Sequence, residues 1–240
     1  MQQYKLTFKL EKNWLPKELD RLIVSFLKAS TQAYSQNFYE RLYDKSQSII
    51  KSFTYSYFLP GAKFNKDRIE LQGNEFSMFF SDADWEELLY FFNSFQLLKY
   101  KKYPMNDNSM ELVSIYMQKL NEIKENEIII KMQSPLLVRN HNSKDNSDIY
   151  YTCEMEGFAE ALKENVSIFF SKMGVDIKTD DFLIETIKGK KVVVPVFGRN
   201  TDASIGIFKL TGSCQLLNIL YLAGLGVRRS EGHGKFEVIG

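Results

Sequence analysis

The sequence predicts an α+β fold built from two tandem ferredoxin-like domains, each an antiparallel sheet with helices on one face. In both halves of the 240-residue chain, strand-type alternation and helix-type spacing follow the order strand, helix, paired strands, helix, strand. The most polar break, KLNEIKENE, separates the halves. We therefore expect an N-terminal domain at 1–123 and a C-terminal domain at 124–240.

The first half begins with a period-two pattern that predicts a strand at 3–10. After Leu15-Pro16, apolar residues at 3.6-residue spacing predict a helix to Tyr34, and a shorter helix is expected at 37–43. An aspartate cap predicts a helix to about residue 98 whose buried face would carry Trp85, Leu88, Leu89 and Phe92. Strands are expected at 52–58, 63–64, 68–71 and 75–80, and less clearly at 110–119.

The second half repeats this order. Its long helix is expected at 154–173, and a helix led by a Ser213 cap is expected to end at 223. A hairpin is expected to turn at Lys188-Gly189-Lys190, and residues 140–148 are expected to form a polar loop. The remaining strands are expected at 127–132, 134–138, 205–210 and 235–239.

Composition excludes several classes of protein. Hydrophobic residues make up 44% and charged residues 25% of the chain, which excludes a disordered or fibrous protein. No apolar run approaches the ~18–20 residues that a membrane span needs, and the N-terminus lacks the apolar block of a signal peptide. Cys153 and Cys214 are isolated, so we expect a reduced, cytoplasmic protein without disulfides, structural metal, cofactor or membrane partner.

The charges are distributed unevenly along the chain. The net charge is only +1, yet residues 188–240 hold eight Lys or Arg and three acidic residues. A basic C-terminal region on a nearly neutral protein indicates a local anion site rather than a general affinity for polyanions.

The segment AGLGVRRSEGHGKF, residues 223–236, is the most informative part of the sequence. Four glycines enclose Arg228, Arg229 and Ser230. Glycines let the backbone approach a ligand closely, and two arginines supply forked donors for phosphate. A dinucleotide fingerprint is excluded because Arg229 occupies the third glycine position and the segment follows a helix. The structural alternative is a helix C-cap followed by a turn into an edge strand.

This segment closely resembles the C-terminal glycine-rich loop of the Cas6 family, CRISPR-associated endoribonucleases of the RAMP superfamily. The family pattern G-x-G-x-R-R-S-x-G-[aromatic]-G-x-[aromatic] matches residues 224–236, with His233 at a position that is usually aromatic. Weaker similarities are LPKELDRLIVSFLKAS in the first helix, LYD at 42–44, FTYS at 53–56, SPLLVR at 134–139 and ALKENVSIFFSKM at 161–173. The resemblance also implies tandem ferredoxin-like domains.

The resemblance implies metal-independent cleavage of precursor CRISPR RNA at its repeats. The ribose 2′-hydroxyl attacks the adjacent phosphate and leaves 2′,3′-cyclic phosphate and 5′-hydroxyl ends. Such a reaction needs proton transfer, positive charge near the phosphorane and in-line positioning. In the loop, the residues expected to contact RNA are Gly224, Gly226, Arg228, Arg229, Ser230, Gly232, His233, Gly234 and Lys235. Outside it, the expected contacts are Arg139, Lys190, Lys191 and Arg199, although a basic hairpin tip can also be a solvated turn.

The catalytic assignment departs from the family pattern. Many members place His in an L-H-D triplet after the first long helix, whereas this chain has Leu42-Tyr43-Asp44 and no His before His141. We predict Tyr43 as a proton donor or orienting hydroxyl, with Tyr39 on the same helical face. Lys45 and Lys51 could stabilise the phosphorane. The alternative is that both tyrosines are half-buried packing residues, and His141 is interpreted as a surface residue.

Three functions therefore remain open. The first is a repeat-specific endoribonuclease. The second is a relative that binds repeat RNA without cutting it. The third is a ferredoxin-like module for a small anion or nucleotide. The expected partner is CRISPR repeat RNA, and an effector complex or a second copy of the chain would be further partners.

Overall fold

The computed structural model describes residues 1–44, 46, 49–142 and 147–240. It confirms the α+β class and the tandem ferredoxin-like architecture. The N-terminal half contains β1 (Gln2–Leu10), β2 (Trp14–Pro16), α1 (Leu19–Tyr34), α2 (Gln36–Tyr43), β3 (Phe53–Phe58), β4 (Lys63–Phe64), β5 (Arg68–Glu70), β6 (Glu75–Asp82), α3 (Trp85–Leu98), β7 (Lys102–Met105) and β8 (Asn108–Lys119). The C-terminal half contains β9 (Glu127–Met132), β10 (Val138–Asn142), β11 (Ser147–Tyr151), α4 (Phe158–Met173), β12 (Leu183–Val196), β13 (Arg199–Thr211), α5 (Cys214–Ala223), a 3-10 turn (Arg229–Glu231) and β14 (Phe236–Val238).

The two main sheets have the same topology. The first has the order β3-β6-β1-β8-β7 and the second the order β12-β13-β9-β14, with antiparallel pairing throughout. In each, the first and third long strands of the unit lie next to each other at the centre, as in a ferredoxin-like sheet. Strands β2, β5 and β4 form a small separate sheet, and β10 and β11 form a hairpin outside the second main sheet.

Each half has its own hydrophobic core. Stacked and edge-on aromatic rings, including Phe26, Phe80 and Phe91, fill the first core. The second contains Phe169, Phe208 and many aliphatic side chains. Ile123 belongs to the second core, and its backbone exchanges hydrogen bonds with the Asn218 side chain at 2.9 and 2.8 Å. The boundary between residues 123 and 124 stays a prediction.

The predicted buried face of α3 is wrong at two positions. Trp85 is 76% exposed and Leu89 is 46% exposed, whereas Leu88, Phe91 and Phe95 face the core. Asp84 caps the helix by accepting hydrogen bonds from the amides of residues 86 and 87. The cap places Trp85 at the first position of the helix, where the side chain lies outside the core. The core stripe therefore follows residues 88, 91 and 95.

The predicted hairpin turn at Lys188-Gly189-Lys190 is also wrong. These residues lie within one continuous strand, β12, and pair with residues 205–207 of β13. The turn occurs at Phe197-Gly198, where both residues have positive φ values of 48° and 84°. Two consecutive positive φ values match the twist of a tight hairpin, which a lysine-flanked glycine cannot supply alone. The cluster of basic residues therefore lies along an edge strand instead of at a loop tip.

The start of the second half differs from prediction as well. Residues 134–137 are not in a named strand, although Leu136 forms an isolated bridge with Ser204. Of the predicted loop at 140–148, residues 140–142 lie in β10 and residues 147–148 lie in β11, while residues 143–146 lie outside the described residues. Helix α4 begins at Phe158, four residues later than expected, because Gly157 has a left-handed φ of 85°.

Candidate functional site

A cleft of about 620 Å³ lies where the two halves meet, and we call it the interdomain cleft. One wall is the segment before β3, and the other is made by β10, α4 and the glycine-rich segment. The described residues that line it are Ile49, Ile50, Lys51, Arg139, Asn140, His141, Glu164, Asn165, Ile168, Phe169, Lys172, Gly226, Val227, Arg228, Arg229, Ser230 and Glu231.

Positive charge dominates the described lining of the interdomain cleft. Lys51, Arg139, Lys172, Arg228 and Arg229 contribute five cations, against two carboxylates from Glu164 and Glu231. The lining therefore favours an anionic ligand.

Arg229 is the most unusual of these cations. It is only 7% exposed, and its guanidinium carbon lies 3.7 Å from the centre of the Phe169 ring. Among the described residues its guanidinium has no hydrogen-bond or ion-pair partner, and burial lowers its pKa to about 9. An arginine in this state lacks the counter-ion that a buried charge normally has, so an anion in the cleft would stabilise it.

Arg228, the neighbouring residue, is balanced by an acid. Its φ of 59° is left-handed, and the turn places its Nη1 3.0 Å from Glu231 Oε1. Arg228 also lines a second, more open cavity of about 550 Å³ together with Asp148, Tyr150 and Arg199. The two cavities therefore share Arg228.

Much of the glycine-rich segment is an interdomain packing element. His233 and Lys235 are buried, the His233 carbonyl accepts a hydrogen bond from Thr54 Oγ1, and Lys235 Nζ donates to Ser81 Oγ at 2.7 Å. A Cβ on Gly232 would come within 2.6 Å of the Tyr55 ring. The expectation of direct RNA contact is therefore corrected for His233 and Lys235 in this conformation, because the N-terminal sheet covers both side chains.

The glycines of the segment also differ in whether they line the cleft or pack against neighbouring residues. All four glycines are buried, but only Gly226 lines the interdomain cleft; Gly224 and Gly234 lie close to Thr54 and to the Leu225 backbone. Gly232 packs against the Tyr55 ring of the N-terminal half and does not line the cleft. In this segment, only Gly226, Arg228, Arg229 and Ser230 of the predicted RNA contacts border the cleft.

Tyr43 lies behind the cleft and is not one of its lining residues. The ammonium groups of Lys28 and Lys51 lie 5.3 and 5.1 Å from its ring centre, so cation–π contacts hold both. Its hydroxyl is buried without a hydrogen-bond partner in the described part of the chain, and burial raises its pKa well above 10. A phenol with a raised pKa is a weaker acid, which argues against the predicted role of Tyr43 as proton donor.

Lys51 is the predicted catalytic residue that does reach the cleft. It is half-buried, and desolvation lowers its pKa. Tyr39 packs against Tyr43 at 5.5 Å between ring centres and does not line the cleft. Lys45 lies outside the described residues. The structure therefore places Lys51 and the glycine-rich segment on the same cleft, and it places both tyrosines outside the cleft lining.

Comparison with known proteins identifies the family of this chain. The family model described as CRISPR associated protein Cas6, C-terminal, matches residues 118–238. The chain belongs to the Cas6 family. It is therefore a CRISPR-associated protein with a role in RNA processing. No curated protein sequence matches the chain significantly.

Solved Cas6-type structures share the whole fold. A structure described as a Cas6-related gene product from Pyrococcus furiosus superposes with a TM-score of 0.85 at 19% identity, over 99% of this chain and 98% of the other. A RAMP protein described as binding different RNA substrates gives 0.84 at 19% identity, over the full length of both chains. A Cas6 product complex gives 0.72 at 14% identity, over 99% of each chain. At these identities the similarity establishes the fold.

Of the remaining basic residues predicted to contact RNA, only Arg139 lines the interdomain cleft of this Cas6 protein. Lys191 is paired with Asp202 at 2.6 Å, and Lys190 is exposed in the middle of β12. Arg199 borders the second cavity. Arg139 lies in the cleft itself, where Nη1 is 3.1 Å from Asp148 Oδ2. Contact of these four residues with RNA stays a prediction.

Sequence reasoning missed that His141 lines the cleft. The residues of β10 and β11 do not alternate between polar and apolar, so no period-two pattern in the sequence indicated these strands. The hairpin places His141 directly opposite Asp148 in the strand register. In the described part of the chain no group of three or more metal-ligating side chains occurs, and none of its helices is long and apolar enough to span a membrane.

Proposed function

We propose that this Cas6 protein binds CRISPR repeat RNA in the interdomain cleft and cuts it without a metal ion. The observation that carries the proposal is Arg229, a buried cation that has no counter-ion among the described residues and lines the cleft. A phosphate of the RNA would supply the missing charge and accept paired hydrogen bonds from the guanidinium. Arg228, Ser230 and Lys172 border the same space.

The proposed chemistry is an internal transesterification. The ribose 2′-oxygen forms a bond to the adjacent phosphorus, the bond from phosphorus to the 5′-oxygen breaks, and the products end in a 2′,3′-cyclic phosphate and a 5′-hydroxyl. Lys51 and Arg229 place positive charge where the phosphorane develops, and such electrostatic stabilisation is commonly the largest part of catalysis. The cleft walls hold the nucleotide in line for attack.

Cleavage in EDTA tests the proposal. The probe is an RNA with two copies of a CRISPR repeat, drawn from a small panel of repeat sequences, and products are separated on a denaturing gel. We expect a cut within the repeat that persists in EDTA and disappears with one 2′-deoxy substitution at the scissile nucleotide. Loss of cleavage in EDTA would contradict the metal-independent mechanism. Cleavage of the deoxy substrate would contradict attack by the 2′-hydroxyl.

A second candidate function is binding of repeat RNA without cleavage. It is favoured by Tyr43, which occupies the position of the histidine in the family triplet. The Tyr43 hydroxyl is buried, and the residue does not line the cleft. The same assay separates the two candidates, since tight binding of intact RNA under all conditions supports the second. Free nucleotide that competes with repeat RNA at equal concentration would support the small-anion module instead.

Substitution of Lys190 on β12 tests whether the bound RNA extends beyond the interdomain cleft. Lys190 lies on an edge strand, where it could contact a second part of the repeat. If it contacts a phosphate, Lys190→Ala reduces the slope of log affinity against log salt by about one unit. An unchanged slope would restrict the RNA to the interdomain cleft.

A further inference from the structure

The hairpin of β10 and β11 carries a histidine–carboxylate pair whose histidine lines the interdomain cleft, whereas its carboxylate borders the second cavity. His141 and Asp148 are directly opposite in the strand register, with Nδ1 2.8 Å from Oδ1. Arg139 holds the other carboxylate oxygen, with Nη1 3.1 Å from Oδ2. The carboxylate is therefore fixed at both oxygens, which orients the imidazole ring.

The hydrogen bond determines which ring nitrogen is free. The bond from His141 is the largest of the effects that lower the pKa of Asp148, so this carboxylate stays ionised. An ionised carboxylate only accepts hydrogen bonds, and Nδ1 must therefore carry the proton. The neutral ring then keeps a lone pair on Nε2, which has no partner among the described residues. This is the arrangement that makes a histidine a general base.

Stabilisation of the fold does not explain the presence of this pair. His141 is 45% exposed and Asp148 is 33% exposed, and an exposed pair of this kind contributes little to stability. The ring nevertheless lines the same cleft as Lys51 and Arg229, which approach from other elements of the chain. A histidine is thus present in the cleft although none occurs in the family triplet.

We propose that His141 is the general base of the RNA cleavage reaction and that Asp148 is its positioning residue. The inference rests on the proposed function, because it assigns a role in that reaction. His141 Nε2 takes the proton of the 2′-hydroxyl while the 2′-oxygen forms its bond to phosphorus. The departing 5′-oxygen takes a proton from the Lys51 ammonium. The imidazolium then releases its proton to water and the Lys51 amine regains one, which restores both groups.

Charged groups on several elements surround His141. Asp148 faces it from β11, Arg139 lies on its own strand, and Glu164 and Lys172 face the cleft from α4. Lys51 and the Arg228–Glu231 ion pair complete the charged lining. To act as a base, His141 must take the proton of the 2′-hydroxyl on a free Nε2 lone pair.

The decisive experiment uses single-turnover cleavage of repeat RNA by the full-length protein. We expect His141→Ala to slow cleavage by ~100-fold or more, the usual contribution of a general base, while affinity for 2′-deoxy repeat RNA changes less than threefold. Asp148→Asn should slow cleavage less than His141→Ala does, because the ring loses the carboxylate that orients it, and Asp148→Glu, which keeps a carboxylate, should recover part of the rate. Ile149→Ala, a similarly exposed site on the same hairpin, should cleave like the parent protein.

A substrate with sulfur in place of the scissile 5′-oxygen separates base from acid. Thiolate leaves without protonation, so this substrate should restore cleavage by Lys51→Ala and leave the defect of His141→Ala in place. Restoration of His141→Ala would overturn the assignment as base. So would a His141→Ala rate equal to that of the parent protein, and in that case the proposed function would stand. Absence of cleavage by the parent protein itself would overturn both.

Discussion

Replacement of Arg229 by methionine should make the free protein more stable and its RNA binding weaker. Arg229 is 7% exposed, packs on Phe169 and has no acidic partner in the described part of the chain. Burial lowers its pKa from 12.5 to about 9, which corresponds to about 5 kcal/mol of unfavourable desolvation at 1.36 kcal/mol per pH unit. This penalty is fully present below pH 9, because both folded and unfolded chains are then protonated at this site.

Methionine preserves much of the volume and the contact with the aromatic ring but removes the charge. Replacement of buried charges by apolar side chains of similar size typically stabilises by about 1–4 kcal/mol. In a chain of this length each kcal/mol raises Tm by about 2–4 °C. Loss of charge-assisted hydrogen bonds to one phosphate costs about 1.5–3 kcal/mol, or roughly a 10–100-fold weaker affinity.

Urea unfolding at pH 7 and binding of 2′-deoxy repeat RNA measure the two effects on the same proteins. Arg228→Met is the matched control, because Arg228 is half-exposed and pairs with Glu231. Its removal leaves a largely buried carboxylate without a partner, so the control should lose stability while Arg229→Met gains it. If Arg229→Met lowers Tm and binds RNA as tightly as the parent protein, Arg229 is a structural residue and the cleft has no empty phosphate site.

Three further results are expected. Lys51→Ala should slow single-turnover cleavage by ~100-fold, as loss of transition-state charge does, with less than fivefold change in affinity for 2′-deoxy RNA; equal rates would exclude Lys51. Gly234→Ala should cost at least about 2 kcal/mol in urea unfolding, because its φ is 73° and a Cβ would overlap the Leu225 carbonyl, whereas Gly73→Ala meets no atom within 4 Å and should cost far less. Burial lowers the pKa of Lys235 to about 7 against an ordinary 10.5, so between these pH values the unfolded chain binds the extra proton. Stability should rise from pH 7 to 9, and Lys235→Met should flatten that rise when urea midpoints are measured at pH 7, 8 and 9.

The Lys51 and Gly234 predictions test two different features of the structure. Lys51 tests the cleft, while Gly234 tests the packing of the glycine-rich segment against the first domain. A Gly234 variant that folds normally but fails to bind RNA would mean that the buried glycines serve the ligand rather than the domain interface.

Much of the fold was predictable because its signals are local. Alternation predicted β1, apolar spacing predicted α1, and the polar break predicted two units. The errors occurred where local signals compete. Glycine beside lysine at position 189 suggested a turn, yet the two positive φ values that a tight hairpin requires occur at Phe197-Gly198. The valines after Lys191 favour continuation of the strand, and pairing with β13 decides the outcome.

The candidate site was predictable only in part. The glycine pattern identified the segment that contains Arg228 and Arg229 and, through family resemblance, its association with RNA processing. Sequence could not distinguish Arg229, which lines the cleft, from Lys235, which is buried against Ser81, because both lie in the same glycine-rich run. Which side of the segment faces the neighbouring domain depends on contacts more than 100 residues apart.

The sequence by itself determined the order of elements, the two cores and the basic, glycine-rich character of the C-terminus, since these follow from residue type and spacing. Tertiary structure alone decided which charges meet. It turned Tyr43 away from the cleft, left Arg229 buried without an acidic partner among the described residues, and placed His141 beside Asp148 in the cleft that Lys51 also lines. Burial and electrostatic pairing are properties of distance in space, and no spacing along the chain records them.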